Sequence, residues 1–429
     1  MAKSPPKSKF LRSAKLLSAA GRYAVGEIAQ KYKTEHSTRV NEALFKRAAK
    51  LVESLDQLKG FPLKVGQLLS LDTTGILPDE IRKIFEKLQN QATPIDQDIM
   101  KKVLNDQLGS KVNELEINWS PIASASLGQV YSAKTKDNKS IVLKIQYPGI
   151  ENSLDGDLLV IKKLTPLITA MTGKKVDLTG VFDELSEMFN REIDYVREAK
   201  MLTRFSTLAQ DSKQWRVPVL YPEFCSSKVI AMEMLSGKSI SQWIENSPTQ
   251  VEKEKLAAKA IDLFCCELFK WNIVQTDPNF ANFLVLDDGR LGLLDFGASM
   301  EFGQGFVEKY RSLLLALKKG DANEVIRLSI DFDLLDRRES EKAKETYLKM
   351  VEVSVRPFLE NGVFKFRDES YIELTKNVSM DFIRETKFSP PPKHLIFLHR
   401  KLGGIYSLLH RLDVEIDLKP FWDKWIERN

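Results

Sequence analysis

Thr276-Asp277-Pro278-Asn279-Phe280-Ala281-Asn282 is followed, thirteen residues after Asn282, by Asp295-Phe296-Gly297. Between them lie two short apolar runs, Phe283–Leu286 and Leu291–Leu294, on either side of Asp287-Asp288-Gly289. Short apolar runs flanking a Gly-containing turn predict a β-hairpin. A hairpin returns the chain to where it set out, so Asn282 and Asp295 are expected at its two feet, with Asp277 just upstream. Carboxylate and amide oxygens gathered in this way are hard ligands of the kind Mg²⁺ takes. Phosphoryl transfer from a triphosphate needs divalent ions across its oxygens and a group that orients the acceptor. The expectation is that Asn282 and Asp295 carry Mg²⁺ and that Asp277 orients or deprotonates the acceptor. The bland alternative is a polar loop followed by an unrelated Asp-Phe-Gly. The two pieces occurring together, in order and around a hairpin, argue against it.

Upstream, Ile141-Val142-Leu143-Lys144-Ile145 reads as a strand that places Lys144 among apolar neighbours. A buried ammonium must meet anionic partners. ATP phosphates and a carboxylate would supply them, and the following long helix, expected from about Leu154 to Leu208, offers Glu184, Glu187, Glu192, Asp194 and Glu198. The alternative is an edge-strand lysine in water. Before the strand comes a small-residue stretch, Ala123-Ser124-Ala125-Ser126-Leu127-Gly128-Gln129-Val130, with no GxGxxG. Small side chains let backbone approach phosphates, although alanines restrict φ more than glycines do. Ala123, Ser124, Ala125, Ser126, Gly128 and Val130 are therefore candidate nucleotide contacts, and Glu233, Met234 and Leu235, after the strand-like run Val229–Met234, are candidates for the adenine edge. A further short strand is expected at Val217–Tyr221.

In protein kinases the catalytic-loop Asp and Asn are separated by four residues, as Asp277 and Asn282 are. The fold class implied is α+β, a kinase-like two-lobed fold preceded by a helical extension. The boundaries expected are 1–34, a basic segment; 35–115, wholly helical; 116–236, an N-lobe; and 237–429, a C-lobe of helices apart from the hairpin, broken at Pro390-Pro391-Pro392. A helix from Phe306 to Lys319 comes almost directly after Gly297, leaving no room for a long activation loop, and there is no Ala-Pro-Glu.

Composition sets outer limits. The 429 residues are 43% apolar and 29% charged, an ordinary globular balance, and the net charge of +5 does not argue for nucleic acid. Residues 1–34 hold eight Lys or Arg against one Glu. That segment suits a basic amphipathic helix on an anionic membrane surface, or equally a solubilising tail, and shares features with an organelle transit peptide. No secretory signal or membrane-spanning run is expected. Three cysteines, Cys225, Cys265 and Cys266, cannot build a disulfide framework, which suits a reducing compartment.

Taken together, the chain resembles the UbiB/ADCK family of atypical kinases of ubiquinone biosynthesis over roughly residues 40–415. Lys64-Val65-Gly66-Gln67 matches the KxGQ motif, residues 123–128 the Ala-rich loop, and Lys144–Gly149 the stretch around the nucleotide lysine. Glu192-Ile193-Asp194-Tyr195 followed by Glu198-Ala199 matches the ExD motif and its neighbouring carboxylate. Gln275-Thr276-Asp277 is most similar to the animal mitochondrial branch. The resemblance implies that Glu198 pairs with Lys144. It also implies regulatory roles for Lys64 and Gln67, on helices folded over the active site and facing Glu192 and Asp194. It implies ATP and Mg²⁺ as cofactors, and ATP hydrolysis or transfer to a small molecule or lipid. A quinone precursor or lipid headgroup, an anionic membrane and other quinone-biosynthesis proteins are the implied partners, in the cytoplasm or the mitochondrial matrix. Against it stand two alternatives: a protein kinase, and a nucleotide-gated scaffold with little chemistry of its own. Ser124 departs from the family's middle alanine, and the transmembrane pair of many bacterial members is not found at the C-terminal end.

Overall fold

The computed structural model describes residues 95–124, 127–152, 186–187, 189–277, 279–387 and 393–427. The expected helices before residue 95, with Lys64 and Gln67, lie outside the described residues, as do Ala125, Ser126 and the stretch 153–185. The chain divides into two compact units. One runs to Thr203 and takes in Val219–Met234; the other comprises Arg204–Pro218 and everything from Leu235 onward.

The first unit is built on an antiparallel sheet in the order β1 (Leu115–Ser124), β2 (Gly128–Thr135), β3 (Ser140–Gln146) and β5 (Val229–Glu233). β3 lies between β2 and β5, so both of its edges are paired, and Ile141, Leu143 and Ile145 are fully buried. The turn between β2 and β3 closes on Asn138, which adopts the left-handed conformation (φ 58°) that asparagine tolerates. Helix α1 (Gln97–Leu108) is capped by Asp96, whose side chain accepts from the Asp98 N–H, and it buries Met100, Leu104 and Leu108 along one stripe.

α1 ends at Leu108, a 3₁₀ helix follows over Gly109–Glu114, and β1 begins at Leu115. Two sequence expectations are corrected in this unit. The small-residue stretch is not a loop from Ala123, because Ala123 and Ser124 still pair with Val130 and Gln129, after a register shift between Asn118 and Ala123. Pro121 falls in that irregular stretch, where a missing N–H costs no ladder bond. Nor is the long helix continuous to Leu208. It breaks at Asp194 and restarts as α2 (Tyr195–Ala209), because the Asp194 carboxylate accepts from the Arg197 N–H at 2.9 Å and caps the new helix.

In the second unit β4 (Trp215–Arg216) is parallel to β9 (Leu291–Leu293), which pairs with β8 (Phe283–Leu286), which in turn pairs with β6 (Gly237–Ser239). The expected hairpin is present. Its turn uses Gly289 at φ 80°, whose N–H donates to the Leu286 carbonyl at 2.8 Å. The strand expected at Val217–Tyr221 is replaced by β4 and a single bridge from Leu220 to Met232. Helices α3 (Ile240–Glu245) and α4 (Gln250–Cys266) both begin in capping boxes, Ser239 with Gln242 and Thr249 with Glu252. α4 passes into a π turn, Glu267–Trp271, then reverses through left-handed Asn272 into β7 (Ile273–Gln275). β7 pairs with β10 (Ser299–Glu301).

The remaining helices are α5 (Gln304–Lys319), α6 (Ala322–Asp331), α7 (Glu341–Leu359), α8 (Glu369–Glu385), α9 (Lys393–Leu412) and α10 (Lys419–Trp422). α5, α6 and α7 share a core of Leu313, Ala316, Leu317, Val325, Leu335 and Tyr347. The expectation of helices apart from the hairpin over 237–429 is corrected, since β6, β7 and β10 are strands as well. A two-residue ladder, β11 (Phe364–Lys365) with β12 (Glu415–Ile416), joins distant segments and is too short to leave a periodic signal. Cys265 and Cys266 are buried on α4, and among the described residues no helix is long and apolar enough to cross a membrane.

Candidate active site

Each unit carries one half of the residues singled out by sequence. In the first, Lys144 stands on β3 opposite Val130 of β2. Its Nζ reaches both oxygens of Glu198, at 2.7 and 3.0 Å, and lies 5.2 Å from the centre of the Tyr195 ring. Glu198 is one turn beyond Tyr195 on α2, so one helix face supplies both the carboxylate and the aromatic ring. Lys144 and Glu198 expose 11% and 3% of their side chains, so the pair is desolvated, and removing either partner would take a close opposite charge from a buried one.

Two of the other carboxylates considered for Lys144 have partners of their own. Glu187 pairs with Arg191, and Asp194 caps α2 and is exposed. Glu192 is buried on the turn before that cap. Glu184 lies outside the described residues. The Gln146 side chain donates to the Ile193 carbonyl at 2.8 Å and anchors the end of β3 to the chain entering α2.

Gly128 is required where it stands. A Cβ there would lie 2.5 Å from the Ile145 carbonyl oxygen and 2.9 Å from the Tyr195 hydroxyl. Its neighbour Gln129 is wholly buried, accepting from the Ile95 N–H at 2.8 Å and donating to the Tyr131 hydroxyl. Glu233 ends β5 with its carboxylate accepting from the Val219 N–H. Met234 is exposed and donates its N–H to the Ser140 carbonyl. Leu235 is buried in the second unit.

In the second unit the segment from Gln275 to Asn282 is held at several points. Thr276 is tied by its N–H and hydroxyl to the Ala298 carbonyl, and Gln275 pairs with Ser299 across the β7–β10 ladder. The segment entering Asp277 is therefore laced to the segment leaving Gly297. Asn279 caps the short turn Phe280–Asn282 through the Ala281 N–H. Asp277 is buried. One of its oxygens accepts from the Asn279 N–H at 3.2 Å and the other from the Asn282 side-chain nitrogen at 3.0 Å.

This last bond fixes the Asn282 amide. A carboxylate only accepts, so the amide must present its NH₂ to Asp277, which leaves its carbonyl oxygen for another partner. The Asn282 backbone carbonyl accepts from the Leu294 N–H at 3.0 Å, which brings Asp295, the next residue, to the same foot of the hairpin. One Asp295 oxygen accepts from the Gly297 N–H at 3.0 Å. Phe296 is fully buried, its ring 5.0 Å from Phe205, which meets Trp271 edge-on.

The donor types fit magnesium: one amide oxygen and one carboxylate, both hard, would leave the rest of an octahedron for phosphate and water. Among the described residues no group of three His, Cys, Asp or Glu could hold a metal.

Sequence reasoning missed the floor beneath this loop. Glu267, Gln275 and Lys401 are all buried there, with the Lys401 Nζ 2.7 Å from the Gln275 side-chain oxygen. Lys401 sits in α9 at 126 residues' separation, so no local spacing could reveal it. The one available hint is a lysine amid the apolar stripe of that helix.

The sequence profile of the ABC1 atypical kinase-like domain matches residues 87–329, more than half of the chain. The mitochondrial atypical kinase COQ8 of Saccharomyces cerevisiae is 31% identical over 376 residues, covering 86% of this chain and 74% of that protein. The mitochondrial atypical kinase COQ8B of Rattus norvegicus is 31% identical over 391 residues, covering 89% and 72%. Among solved structures, Rv3197 of Mycobacterium tuberculosis, determined in complex with erythromycin, superposes with a TM-score of 0.64 at 25% identity, covering 91% of this chain and 98% of that one. The kinase-like sheet, the Lys144–Glu198 pair, the Asp277–Asn282 loop and these relatives lead to one conclusion: the chain belongs to the ABC1 (UbiB) family of atypical kinases.

Proposed function

We propose that this chain binds Mg·ATP and consumes it, by hydrolysis or by phosphoryl transfer to a small molecule or lipid headgroup, in support of ubiquinone biosynthesis. The observation that carries the proposal is the Asp277–Asn282 bond, which commits the Asn282 amide nitrogen and leaves its oxygen available to a cation. Lys144 binds the α- and β-phosphates, held by Glu198 in the extended form that reaches them. Asn282 and Asp295 would hold the ion, which when bound neutralises developing charge on the phosphate oxygens. Asp277 orients the acceptor hydroxyl or water and takes its proton. Ala123, Ser124, Ala125, Ser126, Gly128 and Val130 would contact the phosphates, and Glu233, Met234 and Leu235 would meet the adenine edge. Lys64 and Gln67, with Glu192 and Asp194, regulate access of the acceptor.

The short connection after Gly297 favours a small acceptor. β10 begins at Ser299 and α5 at Gln304, so no extended segment is left to bind a peptide. The relatives' mitochondrial setting and the basic segment 1–34 support action at an anionic membrane surface within the mitochondrion. The deciding experiment is Mg·ATP hydrolysis by the full chain, with and without anionic vesicles and quinone-precursor-like phenols. Stimulation by both supports the proposal. Nucleotide binding with no turnover under any condition would instead make the chain a scaffold, and transfer of label to a partner protein would make it a protein kinase.

A further inference from the structure

The loop from Gln275 to Phe283 holds Asp277 and Asn282, and a single buried ammonium touches it at both ends. Lys401 Nζ donates to the Gln275 side-chain oxygen at 2.7 Å and sits 4.8 Å from the centre of the Phe283 ring. Gln275 is two residues before Asp277, and Phe283 directly follows Asn282. Lys401 is 3% exposed and comes from α9, where it lies among the buried apolar residues Leu395, Phe397, Leu398, Ile405, Leu408 and Leu409. Desolvating a lysine at such a position is unfavourable. A Met or Leu would pack as well without that cost, so stability alone does not account for the charge.

The charge is instead met by groups that all border the loop: the Gln275 amide, the Phe283 face, the Asp277 carboxylate and the Glu267 carboxylate. Glu267 is fully buried in the π turn that leads into β7. The ladder from Gln275 to Ser299 extends the same anchorage to the segment after Gly297.

We propose that Lys401 is a positioning residue for this loop, its ammonium pinning both ends so that Asp277 and Asn282 keep the spacing phosphoryl transfer needs. The inference rests on the Mg·ATP reading, and its test separates the two. Lys401→Met, Gln275→Met, the double variant and Lys401→Arg are compared with the wild-type full chain in steady-state Mg·ATP hydrolysis. Hydrogen–deuterium exchange over residues 273–286 is followed in the same proteins. Misplacing a catalytic group by a fraction of an ångström is expected to lower kcat at least about tenfold. KM for ATP should rise by clearly less than kcat falls, because Lys144 and Asp295 are untouched and only Asn282 among the metal and phosphate contacts is loosened. The double variant should be no worse than Lys401→Met, since both remove one contact. Lys401→Arg should recover part of kcat. Exchange over 273–286 should quicken while that over 229–233 is unchanged.

Wild-type kcat in both single variants, or additive losses in the double variant, would overturn the proposal. So would a fall in nucleotide affinity that tracks the fall in kcat. If the wild-type chain itself turns over no ATP, the functional reading fails, and exchange alone then decides: unaltered protection of 273–286 in Lys401→Met and Gln275→Met overturns the pin. Should Lys401→Met fail to fold, Gln275→Met tests the same contact with the lysine in place.

Discussion

Three side chains in the second unit and two in the first carry the proposed chemistry, and each assignment predicts a different failure. Asp277→Asn keeps a hydrogen-bonding side chain beside Asn282 but loses the proton acceptor. It should cut turnover about 10²–10⁴-fold with nucleotide binding retained. Asp295→Asn removes a charged metal ligand, so it should lose turnover and also the magnesium dependence of ATP binding, measured by titration with and without Mg²⁺. Equal ATP affinity with and without Mg²⁺ in the wild type would remove the metal assignment. Glu198→Ala strands a lysine that is nine-tenths buried. It should destabilise the first unit by roughly 3 kcal/mol in urea unfolding and weaken ATP binding. An effect under about 0.5 kcal/mol would mean that Lys144 finds another partner or escapes to water. Most of these residues could be read from sequence because the spacing that joins them is local: five positions from Asp277 to Asn282, one hairpin to Asp295. Lys144 and Glu198 are 54 residues apart. Spacing alone left five carboxylates open for that lysine, and only the family resemblance singled one out.

Elements were legible where turn chemistry punctuates them and obscure where it does not. The β8–β9 hairpin announced itself through Asp287-Asp288-Gly289, and the buried central strand through Ile141–Ile145. β1 was missed beyond its start because small residues and Pro121 look like a loop, although Leu115, Ile117 and Trp119 alternate with polar neighbours in the period of a half-buried strand. The break before α2 was missed because apolar periodicity runs through it, and a capping Asp inside such a pattern resembles a surface carboxylate. That cap gives an element-scale prediction. Asp194→Ala should cost about 1 kcal/mol by denaturant unfolding, with Asp194→Asn or Asp194→Ser recovering most of it. It should also lower ATP affinity modestly, since Tyr195 and Glu198 both sit in the first turn that the cap fixes. If Asp194→Ala is as stable as wild type, the restart of α2 does not depend on its cap.

At the scale of the whole molecule, the buried charges of the second unit couple its stability to pH in an unusual direction. Burial pushes the Glu267 carboxyl from its ordinary 4.5 up to about 7, against the pull of the Lys401 ammonium and the Gln275 backbone N–H. Burial likewise lowers Lys401, which Glu267 and Asp277 partly restore. Most carboxylates in folded chains move the other way. Asp336, for example, is held down to about 2 by Arg338. The sign comes from proton counting. Between pH 4.5 and about 7 the folded chain keeps a proton on Glu267 that the unfolded chain has released, so this group makes stability fall as pH rises through that window. Below 4.5 both states are protonated and the contribution is flat, and above about 7 both are ionised and it is flat again. Glu267→Gln mimics the protonated side chain at every pH. Its stability relative to wild type should therefore climb between about pH 5 and 7.5, by on the order of a few kcal/mol, and then level off. Comparing the two proteins cancels the many surface carboxylates that titrate identically in both. Urea unfolding at half-unit pH steps measures the difference directly. A relative stability that instead stays flat across the window would mean that Glu267 is already ionised in the fold, paired with Lys401 strongly enough to outweigh its burial.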